Sequence, residues 1–161
     1  MTNNDILRRL RYALDISNPA MVEIFKLSGC NIEQPTLIKF LKKEDEEDYI
    51  ECSNPLMTFF LDGLIVHKRG RRDSTAGSVA KPVAELTNNT ILKKLRIALD
   101  FKEDDMIAIM KLADIPLSKS ELSALFRNKG HKNFKECGDQ FLRNFLKGLT
   151  IRCRNTKPEE D

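Results

Sequence analysis

The sequence predicts an all-α protein, a tandem duplication of a four-helix unit whose copies are related by a pseudo-twofold axis. Three observations predict it. Residues 2–15 read TNNDILRRLRYALD and residues 87–100 read TNNTILKKLRIALD. Aligned without a gap, residues 2–73 and 87–158 are identical at 22 of 72 positions. Chance would give roughly 4 or 5 at ordinary composition. Apolar residues recur at helical spacing in both copies, whereas strand alternation and Asn-Gly hairpins are missing.

The first helix carries Ile6, Leu7, Leu10, Ala13 and Leu14 on one face, repeated as Ile91, Leu92, Leu95, Ala98 and Leu99. Asn3 or Asn4 is expected to cap it by accepting the first orphan amide hydrogens. The second helix opens at Asn18-Pro19, an Asn cap before a Pro at the first helical position. Met21, Val22, Ile24, Phe25 and Leu27 follow, and Gly29 stops it. The third helix is short: PTLIKFLKK in one copy and KSELSALFRN in the other. Ser118 and Glu121 have capping-box spacing, and Pro35 begins the equivalent helix. The fourth helix starts near Pro55 and Asp139. It is broadly apolar, with Leu56, Met57, Phe59, Phe60, Leu61, Leu64 and Ile65 matched by Phe141, Leu142, Phe145, Leu146, Leu149 and Ile151. Gly63 and Gly148 interrupt it at equivalent places. Glycine costs about 1 kcal/mol inside a helix, so its recurrence suggests a close backbone approach; fraying of the helix end is the other reading.

The domain organisation follows: a first copy over 1–70, a linker over 71–86 in which Ser74, Gly77, Ser78 and Pro82 stand among few large apolar side chains, a second copy over 87–156 and a tail over 157–161. Each copy is near the size of a minimal domain, so mutual burial through the fourth helices, especially Phe59 and Phe60, is expected.

Composition narrows the function classes. No apolar run approaches the ~20 residues that cross a bilayer, and the polar start has no signal-peptide core, so a cytoplasmic protein is expected. Cys30, Cys52, Cys137 and Cys153 form no C-x-x-C pair, and His67 and His131 stand at no metal-ligand spacing. These cysteines read as buried, reduced thiols. The acidic run 44–48 lacks EF-hand spacing and aligns with KGHKN, so metal binding is not a duplicated property. The opposed charges of 44–48 and 129–132 raise the prospect that the two loops touch. Each histidine occurs in one copy only, and no hydrolase, zinc-protease or phosphate-loop motif is present. No catalytic residue, metal or cofactor is expected.

The doubled TNN-x-IL-[RK][RK]-LR-x-AL start, the M-[VI]-x-I-x-KL second helix and the E-C-x7-F-L-x-G-L ending resemble the YehS-like bacterial proteins, over residues 2–73 and 87–158. That family is described as duplicated and of unknown function. The resemblance implies origin and architecture and transfers no site residue.

The expected function is a non-enzymatic protein-interaction or structural module with an unknown protein partner, no membrane contact and an open oligomeric state. Its contact surface is placed in the groove between copies, near Phe59, Phe60 and Phe145. The alternative is a nucleic-acid-binding regulator in which the second and third helices form a helix-turn-helix. Gln34, Thr36, Lys39, Lys119, Ser120 and Ser123 would then face a groove. Basic residues repeated in both copies would hold phosphates: Arg8/Lys93, Arg9/Lys94, Arg11/Arg96, Lys42/Arg127 and Arg69/Arg154. Against this, the charge is mild, with 11 Lys and Arg against 12 Asp and Glu in residues 1–73, and 15 against 11 in residues 87–161.

Overall fold

A computed structural model of the chain describes residues 1–70 and 85–154. The expected tail and all but the last two residues of the expected linker lie outside the described residues. Within them there are eight α-helices and no strand: α1 (Asn3–Ala13), α2 (Asn18–Leu27), α3 (Gln34–Phe40), α4 (Asn54–Arg69), α5 (Asn88–Ala98), α6 (Glu103–Leu112), α7 (Lys119–Leu125) and α8 (Asp139–Arg154). The all-α, duplicated reading holds.

Local chemistry sets the helix boundaries. Thr2 caps α1, its hydroxyl accepting from the Asp5 amide while the Asp5 carboxylate accepts from the Thr2 amide. Thr87 caps α5. The cap is therefore the threonine, and Asn3 and Asn4 lie inside the helix. Ser17 likewise caps α2 in place of Asn18, which is already helical. Ser118 and Glu121 do form a capping box on α7. Gly29 leaves α2 with φ +98°, and its counterpart Asp114 takes φ +63°. Asp15 and Asp100 turn the chain out of α1 and α5 with φ +54° and +56°. A short polar side chain tolerates this left-handed conformation better than most.

The copies interlock. α4 packs against α2 of its own copy and against α5 of the other; α8 packs against α6 and α1. Contact between α1 and α4, or between α5 and α8, is slight. Each first helix is thus covered mainly by the last helix of the other copy, and apolar side chains of both copies merge into one core. Full burial of one such side chain contributes about 1.5–3 kcal/mol.

Gly63 and Gly148 explain the close α2–α4 and α6–α8 crossings. A methyl on Gly63 would run into the Ile24 carbonyl, and one on Gly148 into the Ile109 carbonyl. Tight contact, and not fraying, accounts for both glycines.

The two asparagines of each TNN start fasten the helices to the irregular segment before the fourth helix. Asn4 is wholly buried. Its amide nitrogen donates to the Phe40 carbonyl (2.9 Å) and the Ile50 carbonyl (2.8 Å). Its oxygen accepts from the Cys52 amide (2.9 Å) and the Tyr49 hydroxyl (3.1 Å). Asn89 repeats three of these bonds, to the Leu125 and Lys135 carbonyls and from the Cys137 amide. Phe134 stands where Tyr49 would supply the fourth. Asn3 and Asn88 donate to the carbonyls of Cys52 and Cys137. Cys52 and Cys137 are buried and free, and burial pushes each thiol up to about 12.

Candidate functional site

Most of the repeated basic residues are engaged inside the frame. The Arg8 guanidinium pairs with Asp5 and donates to the Lys42 carbonyl. Lys42 donates to the Glu47 carbonyl. Arg96 donates to the Phe101 carbonyl and lies 4.8 Å over the Phe126 ring. Lys94 pairs with Asp62 of the other copy at 2.6 Å. Arg69 reaches Asp100 at 2.9 Å, and its counterpart Arg154 reaches Asp15 at 3.7 Å. These last two pairs are pseudo-equivalent, and each joins the end of one copy's fourth helix to the turn after the other copy's first helix. Arg11 is half-buried. Arg9, Lys93 and Arg127 are exposed, without a partner among the described residues.

The predicted apolar contact surface does not survive as drawn. Phe60 and Phe145 are 0% exposed, and the Phe60 ring packs against that of Phe25 at a tilt of 52°, with centroids 5.4 Å apart. Only Phe59 reaches solvent, at 38%. An apolar face wide enough for an outside partner was here filled by the second helix of the same copy and the first helix of the other. Two shallow clefts lie between the copies, one of about 260 Å³ lined by residues including Leu14, Lys68, Leu99, Phe101, Arg152 and Arg154, and one of about 410 Å³ lined by Lys68, Arg69, Ala98, Leu99 and Asp100.

The proposed helix-turn-helix also departs from its template. The connections span residues 28–33 and 113–118, longer than the usual three to four residues. α3 and α7 have seven residues each and bury Leu37, Phe40, Leu122 and Leu125. Gln34, Lys119, Ser120 and Ser123 are exposed; Thr36 and Lys39 are half-buried. Loops 44–48 and 129–132 are exposed, with no ion pair joining them among the described residues. His131 accepts the Asn133 amide within its own turn. No three His, Cys, Asp or Glu side chains are grouped to hold a metal ion among the described residues.

A feature the sequence reading passed over lies where the copies differ. At the α4–α5 contact Asp62 neutralises Lys94. The pseudo-equivalent positions on α8 and α1 hold Lys147 and Arg9, both cationic and both exposed. One turn earlier, Thr58 of α4 is replaced on α8 by Arg143, which donates to Gln140 at 2.7 Å and feels the Asp139 carboxylate without a direct ion pair. Ile97 of α5 is replaced on α1 by Tyr12, 57% exposed. The Arg154 guanidinium lies 4.1 Å over the Tyr12 ring. The acids on α1 and α8 are engaged: Asp5 with Arg8, and Asp139 with the N-terminal amine at 2.8 Å. The signal was legible in principle, because an acid in one copy faces a lysine in the alignment.

Residues 3–70 and 88–155 each match the family described as "Protein of unknown function (DUF1456)". The chain belongs to that family. It is 43% identical over 152 residues to the "Uncharacterized protein YehS" of Escherichia coli (strain K12), covering 94% of this chain and 96% of that protein. No solved structure matches. Family membership confirms the resemblance on which the TNN and E-C motifs were read, and the two matched stretches coincide with the two interlocked helical units. In those units the asparagines of the TNN motif are the fasteners, and the glycines of the E-C-x7-F-L-x-G-L motif lie at the close helix crossings.

Proposed function

We propose that the protein is a non-enzymatic cytoplasmic binding module, a rigid frame that presents an outer face to a macromolecular partner. One observation supports this above others. Several polar residues shared by the two copies are engaged in holding the frame, while some outer positions of the copies have diverged in charge. Shared groups such as Asn4/Asn89 and Arg69/Arg154 tie helices and loops together. At one divergent position Asp62 is half-buried and paired with Lys94, whereas its counterpart Lys147 is exposed. Recognition is the natural role for such surface positions. In keeping with a soluble module, no helix among the described residues is long and apolar enough to cross a membrane.

Two measurements test the reading together. Catalytic amounts of the protein incubated with a cell metabolite extract should leave every metabolite unchanged over hours. The same protein in a lysate should sediment faster than when pure, in a complex of fixed composition. Turnover of any metabolite would overturn the reading, as would sedimentation of the lysate protein as the free chain.

A further inference from the structure

We propose that the face formed by α1 and α8 binds single-stranded nucleic acid, with Arg9, Arg143 and Lys147 on the phosphates and Tyr12 as a stacking platform. This rests on the binding-module reading and names its partner class.

The symmetry of the two copies is broken at one of their contacts. The duplication began with equivalent α4–α5 and α8–α1 contacts. One of them now closes on an internal ion pair, Asp62 with Lys94. The other places Lys147 and Arg9 at the same two positions, so like charges share the contact and gain nothing from each other. Arg143 adds a third positive group one helical turn from Lys147, on the same side of α8. Within a frame, such a grouping is mildly unfavourable. It becomes favourable when a polyanion supplies the missing negative charge, because phosphate contacts release condensed counterions.

The aromatic component selects among polyanions. Tyr12 is the most exposed large side chain of an apolar or aromatic kind among the described residues, and Arg154 covers one side of its ring. An exposed aromatic held by a guanidinium beside cationic side chains is suited to a base splayed from a single strand. A duplex keeps its bases stacked on each other and cannot use the ring. The positions also differ from the ten repeated residues expected from sequence: of those, Arg9 alone belongs to the phosphate-contacting set.

The test is fluorescence anisotropy of the full-length protein with labelled single-stranded RNA of about 20 nucleotides and with the matching duplex. Three phosphate contacts predict a log–log salt slope of about −2 on single strands, or a roughly 20-fold loss of affinity between about 50 and 200 mM salt. Arg9→Gln with Lys147→Gln should remove about two-thirds of that slope. Tyr12→Ala should weaken single-strand binding roughly tenfold and leave the duplex unchanged. Lys26→Gln with Lys93→Gln, exposed on α2 and α5, is the charge-matched control and should change little. All five positions are at or near the surface, and unchanged circular dichroism will confirm folding. The inference is overturned by the absence of binding at low salt, by equal loss in the control pair, by indifference to Tyr12→Ala, or by equal binding of poly-glutamate. Failure here alongside a protein partner in the sedimentation experiment leaves the module reading standing; metabolite turnover removes both.

Discussion

Asn4 shows how much one buried side chain can hold. All four of its hydrogen-bonding positions are filled, by two carbonyls, one amide and one hydroxyl. Asn4→Asp keeps the acceptor and removes the donors, leaving the Phe40 and Ile50 carbonyls facing a carboxyl group. Each buried unpaired group costs about 1–3 kcal/mol, so a loss of about 2–5 kcal/mol is expected in urea unfolding, and Asn4→Ala should fall in the same range. Gly63→Ala sets two effects against each other. Alanine favours the helix by about 1 kcal/mol. The clash with the Ile24 carbonyl is with backbone, so no rotamer relieves it, and overpacking of this kind costs about 1–3 kcal/mol or more. The clash should win, and the melting temperature should fall by several degrees, at about 2–4 °C per kcal/mol. The glycine was readable in the sequence because it recurred at the same point in both copies. The asparagine was read only as a cap, since spacing along a chain shows which amides are near and not which loop folds back over the helix.

Between elements, the same limit applies to charge. The apolar stripes of all eight helices were legible because 3.6-residue periodicity is a local property. Whether an arginine faces a ligand or a neighbouring turn is not local, and Arg69, Arg96 and Arg154 proved to be fasteners. Arg152, on the last turns of α8, illustrates the type: it holds Asp105 in the first turn of α6 at 2.9 Å. The Lys102 amide, which donates to Asp105, and then Arg152 hold this carboxyl below the usual carboxylate range. A folded-state value below the unfolded one contributes stability above the unfolded value, which is lost as pH falls through the folded one. The contribution should therefore be present at neutral pH and disappear below about pH 4. Asp105→Ala should lower the melting temperature at pH 7, and the difference should narrow as pH falls below about 4, a pattern that a pH series of thermal melts would reveal. Equal loss at every pH would mean the carboxylate charge plays no part.

For the whole molecule, one shared core has a direct thermodynamic signature. Because α1 is covered by α8 and α5 by α4, neither copy can lose its packing without exposing the other. Calorimetry should show a single transition with matching calorimetric and van't Hoff enthalpies. Two resolved transitions would mean the halves are independent. The repeat foretold mutual burial but not this exchange of partners, since an amphipathic stripe states that a face is covered and leaves open which helix covers it. The exchange also bears on history. A single unit could bury its first helix only by pairing with an identical molecule, which points to a self-associating ancestor whose gene was later doubled in frame. In such an ancestor any substitution would have appeared on both sides at once; after fusion, a lysine could replace an aspartate on one side while its twin stayed unchanged, and the molecule became free to acquire a front and a back.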